Sequence, residues 1–176
     1  MKTVLVFDTE TTGLPLPRVA DLNKQPKIIE FAVSKVVDGV FVSKHSWLID
    51  PKEPLSAEIN KITGLFDADL AGKPTFAEVL PEIIDVFQGV DELIAHNLPF
   101  DQSLLEFELR RVSCTDFPWP KGKVCTVQEY RHRFGRYVKL TELYESIMGE
   151  PLEQTHRAMD DVDALVELLI KDGFFN

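Results

Sequence analysis

Lys2 to Asp8 enclose an unbroken apolar run, Val4-Leu5-Val6-Phe7. A run this short, rich in β-favouring side chains and almost without polar alternation, predicts a strand buried on both faces, and so the central strand of a covered sheet. The two segments that follow fit beside it. Lys27 to Val37 and Val40 to Ile49 are β-rich and are separated only by Asp38-Gly39, a strong short-range hairpin signal. The chain therefore opens as a three-strand meander.

Helical patterns dominate afterwards. Ser56 to Thr63 reads as a short helix ended by Gly64, and Pro74 to Phe87 as a longer one with proline at its start. Glu92 to His96 is the next buried strand, followed by a helix over Pro99 to Val112. Lys123 to Val127 reads as a short edge strand before a basic helical segment. Lys139 to Met148 is helical and stops at Gly149, and a last helix runs from about Thr155 to Lys171, with Gly173 as its end signal. Strands first and helices later, around a mixed central β-sheet flanked by α-helices, define an α/β fold.

The 176 residues suit one domain spanning 1–176, and no repeat or linker divides them. No apolar run reaches the roughly 18 residues of a membrane span, and Met1-Lys2-Thr3 leads into the first strand without a signal-peptide pattern, so a cytoplasmic protein without membrane contact is expected. Cys114 and Cys125 match neither a zinc pair nor a disulfide framework. The net charge of −10 runs against phosphate binding, yet residues 110–139 carry eight basic residues against two acids. That asymmetry allows a basic rim beside an acidic site, and equally a solvated basic face.

Three acidic segments stand out. In Phe7-Asp8-Thr9-Glu10-Thr11-Thr12-Gly13-Leu14, a strand continuing past Asp8 would project Asp8 and Glu10 from one face, and such a like-charged pair asks for a cation. A strand end dissolving into a turn at Thr12-Gly13 would leave the same two acids solvated. In Ala95-His96-Asn97-Leu98-Pro99-Phe100-Asp101, Asp101 heads the apolar stripe of Leu105 and Leu109 at a strand-to-helix junction, where ligands of open α/β sheets gather. The bland reading is an acid favoured by the first turn of a helix. In Thr155-His156-Arg157-Ala158-Met159-Asp160-Asp161-Val162-Asp163, the stripe Ala158, Val162, Leu165, Leu168, Leu169 selects Asp161 as the inward acid and turns Asp160 and Asp163 to solvent. Projected on that helix, His156 faces away; it reaches the surroundings of Asp161 only from a loop leading into the helix.

Together the three segments resemble the DEDDh group of 3′-to-5′ exonucleases, similar to the proofreading exonuclease subunit of bacterial replicases. Phe7 to Gly13 matches the first motif, Ala95-His96-Asn97 through Phe100-Asp101 the second, and His156 followed five residues later by Asp161 the third. Ile28-Ile29-Glu30-Phe31-Ala32 and Ile62-Thr63-Gly64-Leu65 echo the family more weakly. A tyrosine in the third motif would have pointed to the sister DEDDy group; this chain has His156.

The resemblance implies a ribonuclease H-like fold and a two-metal hydrolysis of phosphodiesters at the 3′ end of single-stranded DNA, releasing 5′-mononucleotides. By it, Asp8, Glu10, Asp101 and Asp161 hold two divalent cations, Mg²⁺ or Mn²⁺, and His156 is the general base. Leu14 is implied as a wedge on the last base, Thr11 and Thr12 as sugar contacts, and Asn97 and Phe100 as pocket walls. Core packing is the alternative for Leu14 and Phe100, and Glu30 either braces the site or caps a surface. The rival readings are an RNA exonuclease of the oligoribonuclease or transfer-RNA-trimming type, and an inactive nucleic-acid-binding module. DNA is preferred over RNA on overall similarity, a DNA polymerase partner is compatible with the resemblance, and oligomeric state is left open.

Overall fold

A computed structural model describes residues 1–175. Its elements are β1 (Thr3–Thr11), β2 (Ile28–Val37), β3 (Val40–Leu48), α1 (Ala57–Thr63), α2 (Asp67–Leu70), α3 (Phe76–Phe87), β4 (Glu92–Ala95), α4 (Leu98–Arg111), β5 (Gly122–Cys125), α5 (Thr126–Glu129), α6 (Arg131–Phe134), α7 (Leu140–Met148) and α8 (Ala158–Lys171), with a 3-10 turn at Leu22–Lys24. The sheet order is β3-β2-β1-β4-β5. β1 pairs antiparallel with β2 and parallel with β4, and β5 is parallel to β4. This is the mixed, helix-flanked sheet of a ribonuclease H-like fold, with the apolar run of β1 at its centre.

Alternation along β1 divides the core in two. Leu5 and Phe7 pack with Phe31, Ile83, Phe87, Leu104 and Leu105 on the α3/α4 face. Val4 and Val6 pack with Leu143, Val162, Leu165 and Leu168 on the α7/α8 face. Both faces are dry along Val4 to Phe7, which is why these four residues are all apolar. The β2–β3 hairpin turns on Asp38 (φ 47°) and Gly39 (φ 77°), the two positive φ values that a two-residue turn matched to strand twist requires.

Several boundaries differ from expectation for physical reasons. β1 continues to Thr11 because Thr9 and Glu10 still pair with Phe31 and Glu30. α3 starts at Phe76, set by the reciprocal box of Thr75 and Glu78 rather than by Pro74; the Thr75 N–H donates to Glu78 at 2.7 Å. The basic segment after β5 is broken into the short turns α5 and α6. α8 starts at Ala158 instead of Thr155, leaving Thr155 and His156 in the loop before it, with His156 in the left-handed region at φ 53°. The short α2 carried no periodic signal and was not expected.

Leu165 is buried between α8 and the sheet. Leu165→Ala is expected to cost about 2–5 kcal/mol, read as a lowered urea midpoint with unchanged slope.

Candidate active site

The parity of β1 that sends Val4 and Val6 towards α8 also sends Asp8 and Glu10 there, at the carboxyl end of the strand. Asp161, in the first turn of α8, comes down on the same spot. Asp8, Glu10 and Asp161 each offer a carboxylate oxygen lying within 4.8 Å of the others. Asp160 is exposed and Asp163 pairs with Lys44 at the surface, so periodicity chose correctly among the three acids of α8.

Asp101 arrives from α4. Its Oδ1 accepts the Thr9 N–H at 3.1 Å and the Thr9 hydroxyl at 2.7 Å, which ties the carboxyl to the strand residue between Asp8 and Glu10. Burial drives all four acids upward in pKa, and mutual repulsion adds to it. Asp8 is raised well above the carboxylate range by burial, then by Asp101, Glu10 and Asp161. Glu10 is pushed to about 8 by burial, Asp161 and Glu30, and Asp101 to about 7 by burial despite the two Thr9 bonds. Asp161 is raised by burial, against a hydrogen bond from Gln154 and the nearby charge of His156. Four crowded oxygen donors short of positive charge suit hard divalent cations.

His156 is exposed and stands close enough to Asp161 for its charge to be felt there. Its loop is fixed by a residue that sequence reasoning set aside. Glu30, in register with Glu10 and only 2% exposed, accepts a forked pair from Arg157, Nε at 2.9 Å and Nη2 at 2.8 Å, and the Ala158 N–H at 3.2 Å. Glu30 thus caps α8 from the neighbouring strand and sets where the helix, and with it Asp161, begins. A glutamate within the apolar run Ile28-Ile29-Glu30-Phe31-Ala32-Val33 was the available signal.

The remaining candidates fall around this cluster. The Thr11 hydroxyl donates to the Gly13 carbonyl at 2.7 Å, and the Thr12 hydroxyl accepts from the Lys27 N–H at 3.0 Å, so both side chains shape the turn after β1. Leu14, 75% exposed, is no core residue. Asn97 is exposed at the start of α4 and Phe100 is half-buried against the core. His96 is held between the Thr126 hydroxyl and the Val138 carbonyl, each at 3.0 Å, and its burial lowers its pKa. The basic stretch is thinner than its charge count: Arg111 donates inward to the carbonyls of Leu22, Gln25 and Pro26, Arg133 pairs with Asp172 and Arg136 with Glu142.

A ribonuclease H-like sheet with acids from three separate segments meeting at the end of its central strand is the framework of a DEDDh-type nuclease. The chain belongs to the Exonuclease family RNase_T, whose model matches residues 5–169. It is 34% identical over 165 residues to a PolC-type DNA polymerase III of Clostridium perfringens (strain 13 / Type A), covering 94% of this chain and 11% of that protein. A PolC-type DNA polymerase III of Staphylococcus aureus is 33% identical over 174 residues, with 96% and 11% covered. The chain therefore spans about a tenth of the length of these polymerases. Among solved structures, exonuclease X in complex with 5′ overhanging duplex DNA is 26% identical, with a TM-score of 0.68 over 95% of this chain and 89% of that one. The nuclease domain of 3′hExo, a DEDDh family member bound to rAMP, is 18% identical and shares the fold, with a TM-score of 0.77 over 96% and 90%.

Two expectations follow from this geometry. With chelator present, folded Glu10 (about 8) and Asp101 (about 7) keep protons that the unfolded chain releases near pH 4 to 5. The native state then binds more protons than the unfolded state across that window, so stability should fall as pH rises from about 5 to 8.5, and Mg²⁺ should flatten the dependence. Urea titrations at both pH values, with and without Mg²⁺, check this; a chelated midpoint that does not fall would contradict the crowding. Arg157→Ala, which strands the buried Glu30 carboxylate, should cost about 3 kcal/mol. Arg157→Lys should recover only part of the thermal midpoint, since an ammonium cannot fork.

Proposed function

We propose that residues 1–176 act as one 3′-to-5′ exonuclease domain that hydrolyses the terminal phosphodiester of single-stranded DNA and releases 5′-mononucleotides. The observation that carries this reading is the convergence of Asp8, Glu10 and Asp161 within 4.8 Å, with Asp101 bound to Thr9 beside them. Asp8, Glu10, Asp101 and Asp161 would hold two divalent cations, Mg²⁺ or Mn²⁺, which when bound supply the positive charge that offsets these acids and the charge developing on the phosphate.

The chain's own residues do the rest. Both Thr9 bonds land on Oδ1 of Asp101, so Oδ2 carries that carboxylate's remaining acceptor capacity. His156 takes the proton of the attacking water on a ring nitrogen, for which an imidazole is suited near neutral pH. Its position in a loop, one residue before the Arg157 fork, gives it an anchored base and a free side chain. Exposed Leu14 wedges against the terminal base, while Asn97 and Phe100 wall its pocket. Thr11 and Thr12, with hydroxyls engaged in the turn, present the backbone that faces the sugar.

DNA as substrate is supported by the PolC-type relatives and by exonuclease X, whose structure contains duplex DNA. The same relatives support a polymerase as partner. Incubating 5′-end-labelled DNA and RNA single strands with Mg²⁺, with and without chelator, is expected to yield a ladder shortening from the 3′ end of DNA that chelation stops; loss of the 5′ label first would refute the direction, and RNA cut faster than DNA the substrate. Asp8→Ala should abolish turnover with the fold retained by circular dichroism. His156→Ala should keep metal binding by calorimetry and lose about 10²- to 10⁴-fold in rate.

A further inference from the structure

β4 runs parallel to β1, so its carboxyl end, His96 and Asn97, lies on the same edge of the sheet as Asp8 and Glu10, one strand further out. β5 ends alongside in turn. Over these two strand ends the surface is hollow. A cavity of about 570 Å³ is lined by His96, Asn97, Pro99, Val127, Tyr137 and Lys139. A second, of about 370 Å³, shares Pro99, Cys125 and Gln128 with it and extends to Lys123, so the two form one groove leading away from the start of α4.

The groove combines an exposed ring with exposed cations, and Glu106 is an acid on its wall. Tyr137 is 63% exposed, an unusual state for so large a ring, and the Arg131 guanidinium lies over it at 5.2 Å. Lys139, Arg131 and Lys123 are exposed and carry no ion pair among the described residues, whereas Arg133 and Arg136, close by in sequence, are neutralised by Asp172 and Glu142. The wall is also stiff. The Val138 carbonyl, next to Tyr137, is fixed by the His96 imidazole, whose other nitrogen is bound to Thr126. A ring presented to solvent from a braced backbone, flanked by unpaired cations and reached from the acidic cluster along the strand ends, has the makings of a stacking platform.

We propose that this groove holds the nucleic acid strand upstream of the nucleotide being removed, with a base stacked on Tyr137 and phosphates against Lys139 and Arg131. The inference rests on the reading that the acidic cluster takes a 3′ end. It explains how a chain of net charge −10 retains a polyanion: the attraction is local, beyond the ends of β4 and β5.

The test is binding of 5′-fluorescein-labelled octathymidylate to the full chain by fluorescence anisotropy, in chelator so that the strand stays uncut. Tyr137→Ala is expected to weaken binding about tenfold or more, and Tyr137→Phe to retain most of it. Lys139→Ala should reduce the slope of log affinity against log salt by about one. In parallel, kcat/KM in Mg²⁺ is compared for the octamer and for a nitrophenyl ester of thymidine 5′-monophosphate, which offers a terminal nucleotide alone. In Tyr137→Ala the octamer-to-ester ratio should fall about tenfold. Octamer affinity and ratio both unchanged in Tyr137→Ala would overturn the proposal and leave the groove to a peptide partner. Tyr137-dependent binding without hydrolysis of either substrate would support the groove while sinking the exonuclease reading, so the two failures are distinct.

Discussion

The structure is organised around an electrostatic problem: four carboxyl groups are kept near one another at a partly buried sheet end, where each opposes the ionisation of the rest. Nothing local makes that arrangement favourable, so it has to be imposed from outside. β1 is clamped by apolar packing on both faces, which fixes Asp8 and Glu10 in position however much they repel. Thr9 restrains Asp101, Gln154 restrains Asp161 at 2.8 Å, and Glu30 with Arg157 pins the start of α8. The cores provide the rigidity, and the few polar contacts at the rim convert it into position.

Much of this could be read from the amino-acid order, because it depends on periodicity. Asp8 and Glu10 share a face since strand side chains alternate, Asp101 and Asp161 lie on their helices' inward stripes, and Asp160 and Asp163 do not. His156 was different. Its place beside Asp161 depends on α8 starting late, and that start is set by Glu30, separated from Arg157 by 127 positions. A contact so distant leaves no trace in the local pattern around His156. The family resemblance singled out His156, but only the fold explains why it sits in a loop. The basic stretch was legible only as a count for the same reason: a sum of charges cannot see that the Arg111 guanidinium is occupied by three backbone carbonyls.

The same distinction between count and placement governs the charge. The four carboxyl groups gather over the end of β1, while Lys123, Arg131 and Lys139, exposed and without an ion pair among the described residues, lie towards the ends of β4 and β5. A polyanion approaching such a surface meets attraction beside the site and repulsion within it until cations are present. Net charge is then a poor guide to the field a ligand meets at any one place on the surface.

The site draws on β1, α4 and α8, whose acids span Asp8 to Asp161 in the chain. During synthesis the sheet and α4 can assemble before α8 has left the ribosome, since folding proceeds from the amino-terminal side as the chain emerges. A nascent chain at that stage carries Asp8, Glu10 and Asp101 but has neither Asp161 nor the Arg157 anchor, so the cluster is incomplete. The acidic cluster is completed by the segment that also closes the second core.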